Sequence, residues 1–546
     1  MTELEDRGLV GWDRPANRYD LHPIVRGVVW NSLSQERRRE VCETLQAHFQ
    51  PIEVPSSKNV TRLEDLTPAI ELFHSLIELG RFDDAFIVFR DRLGKAMHFR
   101  LSASRLRIEL VERLFPDGTN QLPRLRTPYD QRQALDAFAA AYHFSGQPGT
   151  AVPLLRLAGD LGVEANDHGD SSVLHINRSD SERLSGAVRA AEFSARTASR
   201  LIQNQDVFLA AMTFEKLGLV LSVRSSRVAE SGSRHAALIA LEASQQLFEK
   251  LGAQQMVGVV SAFRAAVALW HGESATARTL ADRAWELAAI LNYEADFIRA
   301  ARLQGTAALR CSGGSPEFEP ASRPLYEVAH ERLHHALTRA RACDRVEEEL
   351  PTLIALAELH EALARGIGFQ PVISPSAVTA REESEQKDQE RQAGSLSHGS
   401  GTLGSPLGRR ELESLTTSLQ LTPAEHLDQA ERLLDDVWDR AERGPYPLFQ
   451  ADAFNRLASL ERTRAALLPT DSPERTAALD RAGKAAIRAY EKAWLDGPPF
   501  AYAYGLSHAA AHLADLGLTP PNLPPYDDSK FPPMPDEPVV RKKSSP

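Results

Sequence analysis

The sequence predicts an all-α fold: a solenoid of helical hairpins with a small α/β segment at the N-terminus. Three observations carry this. Ala, Leu, Arg and Glu dominate the chain and are strong helix formers, while aromatic residues make up only 7%. A glycine, followed by an alanine and then by an apolar residue four further on, recurs along the chain. Residues 1–50 run through short apolar stretches and turn formers before helical spacing sets in.

Residues 8–12 form a short apolar stretch, residues 13–17 with Pro15 read as a turn, and residues 18–22 alternate like a second strand. Pro23 opens a helix, where its missing N–H costs nothing, and Ile24, Val25, Val28 and Val29 follow at helical spacing. A second helix over residues 35–50 carries Val41, Leu45, Ala47 and Phe49. This order predicts a partial winged-helix segment over residues 1–55 without its first helices.

Residues 60–368 are expected to form the main helical array. Gly80 precedes Ala85 and Phe89; Gly146 precedes Ala151, Leu155 and Ala158; Gly272 precedes Ala277, Ala281 and Ala284. Glycine supplies the left-handed stop of one helix, and alanine lets the next helix approach it closely. Weaker pairs join residues 206–221 with 236–251 and 294–309 with 326–342. A C-terminal block over 422–518 pairs residues 424–441 with 448–467, followed by a helix over 479–494. The spacing resembles the tetratricopeptide repeat (TPR), which implies a TPR-like solenoid with a ligand groove.

Residues 369–421 break the pattern. A polar charge run over 383–391 precedes a Ser/Gly-rich stretch over 394–408, and no Phe, Tyr or Trp occurs between Phe369 and Trp438. Such a composition buries too little apolar surface to offset chain entropy, so a disordered linker is expected between two helical blocks. Residues 519–546 form a Pro-rich tail, expected to lie extended over the last helices and then fray.

The net charge is -11, from 63 basic and 74 acidic residues. That balance argues against a general nucleic-acid binder. Three scattered cysteines give no disulfide framework or Cys-rich zinc site. The first residues lack signal-peptide character and no run of 18 apolar residues occurs. A cytoplasmic location with no membrane contact is therefore expected.

The phosphate-grip motif G-x-x-x-x-G-K-[ST] is absent, as is the G-x-S-x-G elbow. No catalysis by this chain alone is expected. His330, Glu331 and His334 fit H-E-x-x-H, in which two His on one helix face hold Zn²⁺ and the Glu activates water; Glu347, Glu348 and Glu349 follow as third-ligand candidates. The repeat offers a simpler account. Tyr326, Ala329, Leu333, Ala336, Leu337 and Ala340 make the apolar face, which leaves His330 and His334 on a solvated flank. No metal is the preferred reading, and a zinc metallopeptidase the weaker one.

Residues 4–10, with Tyr19-Asp20-Leu21-His22-Pro23-Ile24-Val25-Arg26, resemble the end of the winged-helix domain of STAND ATPases, the NB-ARC and NACHT-type signalling switches. His22 matches the histidine of that family's methionine-histidine-aspartate motif, which implies a contact with the phosphate of ADP. Leu21 and Pro23 replace the motif's methionine and aspartate. Residues 494–502 and 523–527 are similar to the C-terminal end of bacterial TPR–STAND proteins. The resemblance implies a sensor module whose groove binds a protein or peptide trigger, relieving autoinhibition of an ATPase. ATP or ADP would be held by a nucleotide-binding domain upstream or on a separate protein. The alternative is a TPR-containing transcriptional regulator. Arg37, Arg38 and Arg39 form the basic run it would need, though a solvated helix face explains them as well.

Overall fold

A computed structural model describes residues 10–13, 18–21, 23–164, 168–202, 206–225, 231–291, 293–311, 323–366 and 421–536. Apart from one hairpin, every regular element among them is helical. In that hairpin Val10–Asp13 pairs antiparallel with Arg18–Leu21, Val10 lying opposite Leu21 and Trp12 opposite Tyr19. Helices Pro23–Ser32 and Gln35–Phe49 follow, the second capped by the Ser34 hydroxyl on the Arg37 N–H. A two-stranded hairpin and trailing helices do not by themselves establish a winged helix, whose defining helices precede the hairpin. His22 lies outside the described residues.

The chain divides into two compact units, Met1–Leu101 with Glu109–Ala134, and Ser102–Ile108 with Leu135–Pro546. In the first, Gln35–Phe49 packs on Thr67–Glu78, so the compact body runs through the boundary expected at residues 55–60. Its core is Leu66, Phe73, Leu76, Phe86, Phe89, Leu93 and Met97. Gly80 ends a helix at φ +71, and Ala85 and Phe89 are buried where the repeat spacing puts them.

The second unit is a solenoid of helical hairpins. His168–Leu184 pairs with Val188–Leu201, Val207–Val223 with Ser231–Lys250, Gln254–Trp270 with Ser274–Leu291, and Glu294–Cys311 with Arg323–Ala342. The next hairpin joins Val346–Arg365 to Pro423–Arg443, and the last joins Pro447–Ala466 to Pro473–Trp494, before Ala503–Asp515. This corrects the pairing expected at the C-terminus. Residues 367–420, outside the described residues, join the two helices of one hairpin rather than two blocks, and Leu350, Leu353, Leu427, Ala430 and Leu434 share one core.

The turns repeat too. Gly146, Gly186, Gly252 and Gly272 all sit at positive φ. At each, the next residue's N–H donates to the carbonyl five positions back: Gln147 to Tyr142 at 2.9 Å, Ala187 to Glu182 at 2.8 Å, Ala253 to Phe248 at 3.0 Å and Glu273 to Ala268 at 2.8 Å. This is the Schellman helix stop. Ala151, Leu155, Ala158, Ala277, Ala281 and Ala284 are buried as the spacing requires. No helix among the described residues is long and apolar enough to cross a membrane.

Candidate functional site

The first helix of each hairpin touches the first helix of the next, while the second helices do not touch one another to the same degree. The layer whose members meet is the inner one. It carries a ladder of charged side chains, contributed by Glu294–Cys311, Val346–Arg365, Pro447–Ala466 and Ala503–Asp515.

One rung is Glu348, which accepts Arg299 Nε at 2.5 Å and Arg302 Nε at 3.0 Å. Arg299 also lies over the Phe263 ring, 4.9 Å from its centroid. The next rung is Glu358, held by Arg310 Nε at 3.3 Å and Arg456 Nη2 at 2.8 Å. Burial alone would raise its carboxyl, but Arg310 and Arg456 hold it down at about 2. Arg456 reaches on to Glu361 at 2.8 Å, where Ser459 and Thr463 also donate. The rungs differ in their access to water. Glu348 and Glu361 side chains are 4% and 1% exposed, whereas Arg310, Glu358 and Arg456 keep 24%, 17% and 21%.

Another buried cluster lies beyond it. Asp180 accepts Lys216 Nζ at 3.0 Å and Arg183 Nη2 at 2.5 Å, with His143 Nε2 3.9 Å away. Burial opposes its ionisation, yet Lys216 and Arg183 hold Asp180 well below the usual carboxylate range.

Asp452 behaves oppositely. Its carboxylate accepts the Tyr502 hydroxyl at 3.0 Å. Burial pushes it up to about 7, with Glu358 adding, against Tyr502, Arg310 and Arg456. A carboxyl raised on folding binds its proton more tightly in the native state. Its stabilising effect is full below the unfolded value of about 4 and fades as pH rises through about 7. Replacing Asp452 by Asn is expected to remove that loss. In urea unfolding, the variant's advantage over the parent should grow from pH 4 to pH 7.5; a constant difference would contradict the assignment.

The H-E-x-x-H residues are not on a solvated flank. His330 is 3% exposed, and neither ring nitrogen has a hydrogen-bond partner. Its ring centroid lies 4.2 Å from that of His334. Burial, then His334, His360 and His426, push His330 down to about 3. His360 and His426 meet through their Nδ1 atoms at 2.9 Å. The expected third ligands turn elsewhere: Glu347 meets Arg345 at 3.3 Å, Glu348 the two arginines above, and Glu349 takes Arg341 at 2.7 Å and Arg440 at 2.5 Å. Among the described residues, no three His, Cys, Asp or Glu come together to hold a metal ion. Arg37 and Arg39 pair with Glu40 at 2.6 Å and Glu43 at 2.9 Å, and Arg38 donates to the Leu33 and Asn31 carbonyls. The basic run is thus matched by groups of its own segment.

No family model matches the chain, and no curated protein does. Among solved structures it is similar to a Signal Transduction ATPase with Numerous Domains (STAND) protein with a tetratricopeptide repeat sensor from Pyrococcus horikoshii, at 14% identity and a TM-score of 0.39. The likeness covers 90% of this chain, which spans 58% of that one.

Sequence reading did not find the ladder. Arg310, Glu358 and Arg456 sit on three different hairpins, and no local spacing joins them. The one local signal is modest: charged residues recur within helices whose other faces are Ala- and Leu-rich.

Proposed function

We propose that this chain is the protein-interaction or sensor part of a STAND-type signalling ATPase. Its TPR-like array binds a protein or peptide trigger, and hydrolysis belongs to a nucleotide-binding domain upstream or on a separate protein. The observation that supports this best is the inner ladder, whose Arg310, Glu358 and Arg456 keep part of their side-chain surface exposed. A ligand bearing charges of both signs can exchange partners with these rungs without stranding a charge, and the low local dielectric strengthens each new pair. In this reading the chain works in the cytoplasm, the partner domain holds ATP or ADP, and His22 touches the ADP phosphate. The winged-helix and NB-ARC kinship rests on residues 4–10 and 19–26.

Selection of a random-peptide display library against the whole chain tests the reading. Enriched peptides are expected to carry both signs of charge and to lose about ten-fold in affinity with Arg310→Gln, and likewise with Arg462→Gln, which joins Pro447–Ala466 to Asp515 of Ala503–Asp515 in the same inner layer. Arg462 is 34% exposed and pairs with Asp515 at 2.8 Å, so its replacement leaves the core intact. Peptides that bind both variants as tightly as the parent would overturn it.

A further inference from the structure

The Pro-rich tail does not lie on the final helices alone. It crosses the helix Val188–Leu201, from an outer layer of the array, and is held there by backbone carbonyls and by the Tyr526 and Met534 side chains, which pack against the cluster of Val188, Ala191 and Phe500. Trp494 Nε1 donates to the Pro524 carbonyl at 2.8 Å. Arg189 Nη2 donates to the Pro532 carbonyl at 2.5 Å, and Arg196 Nη1 to the Pro535 carbonyl at 3.0 Å. Arg200 Nη2 meets the Asp536 carboxylate at 2.9 Å. Arg189, Arg196 and Arg200 are spaced to share one face of their helix.

Arg189 is the centre of this cradle. It is only 1% exposed, its Nε donates to the Tyr526 hydroxyl at 3.1 Å, and its guanidinium lies 5.6 Å from the Phe500 centroid and 5.4 Å from that of Phe531. Tyr526 and Phe531 stack at 5.7 Å, with Pro535 buried beyond them. Guanidinium donors aimed at two carbonyls three residues apart, together with aromatic platforms, suit an extended proline-rich chain. Such a chain is pre-ordered, and its carbonyls lack internal donors.

Tyr526, Phe531, Pro532 and Met534 of the tail all contact the Arg189 guanidinium or Nε. With the tail gone, its guanidinium would face water over Phe193 and Phe500, and no buried charge would be stranded. The tail is therefore an occupant that can leave. We propose that this face is a recognition site for an extended proline-rich peptide, occupied in cis by residues 524–536, and that a partner's proline-rich segment competes for it. Tethering holds the tail at an effective concentration near the millimolar range, so a competitor must be abundant or better matched. The site is separate from the inner ladder and stands or falls independently of it.

The test uses the full chain, folded first. A protease site placed within residues 518–522 is cut afterwards, and a labelled peptide of residues 522–536 is titrated into the nicked protein by fluorescence anisotropy. Saturable binding is expected, weakened about ten-fold or more by Arg189→Met in the chain and equally by Tyr526→Ala in the peptide. The peptide variant keeps the result readable even where Arg189→Met fails to fold. Three results would overturn the proposal: no rebinding by a nicked chain that keeps its helical circular dichroism, loss of helix once the tail departs, or equal binding of the Tyr526→Ala peptide.

Discussion

Glu348→Ala is expected to destabilise the array by about 3 kcal/mol, at the lower edge of the 3–5 kcal/mol typical when one member of a buried ion pair is removed. Glu348 is 3% exposed and accepts from both Arg299 and Arg302. Burial would raise its carboxyl, yet these two arginines hold it below the ordinary range. A guanidinium cannot shed its proton at any accessible pH, so removing the carboxylate leaves two positive charges in a low-dielectric layer. Arg299 keeps weaker neighbours, Glu347 at 3.8 Å and Asp296 at 4.0 Å, which is why the lower figure is preferred. Urea midpoints measure the effect. A cost below about 1 kcal/mol would mean that water reaches these arginines as it reaches an exposed pair. Glu348→Leu combined with Arg299→Met and Arg302→Met should recover much of the loss, because a matched apolar replacement strands nothing.

The same residues mark the limit of what the sequence could say. The hairpin repeat was legible because it is local: Gly146 and Gly272 stop helices, and Ala151 and Ala277 receive the neighbouring helix, all within a dozen residues. Gly186 with Ala191 and Ala195 obeys the same spacing and could have been read the same way. Pairing was harder. The hairpin of Val346–Arg365 with Pro423–Arg443 is interrupted by residues 367–420, whose composition signals a break between blocks, so the following helices were paired one step out of register. The ladder, the approach of His360 to His426 and the tail cradle are all tertiary. Arg189 lies 343 residues from Pro532, and His360 lies 66 from His426. No periodicity links positions that far apart, whereas helix faces and stops are set within a few turns.

Gly146→Ala should be more damaging than Gly252→Ala, and the comparison separates the two reasons a glycine is needed. Both residues hold left-handed φ, +91 at Gly146 and +65 at Gly252. A side chain in that region costs roughly 1–2 kcal/mol by itself. At Gly252 a Cβ would meet nothing within 4 Å, so that strain is the whole cost. At Gly146 the Cβ would stand 2.7 Å from Cβ and Cγ2 of Val346, a buried residue at the start of Val346–Arg365. Overpacking of a tight core adds about 1–3 kcal/mol, which brings the expected loss to about 2–5 kcal/mol. Gly146→Ala with Val346→Ala should return most of the second part and none of the first, as a double-mutant cycle in urea would report. Asp344 gives the natural control. It takes φ +53 in the same kind of turn, with the Arg345 N–H donating to the Ala340 carbonyl at 2.8 Å, and its carboxylate meets Arg105 at 2.5 Å. A non-glycine residue is thus accepted at one such turn, so equal losses at Gly146 and Gly252 would show that backbone strain alone, and not the approach of Val346, governs these stops.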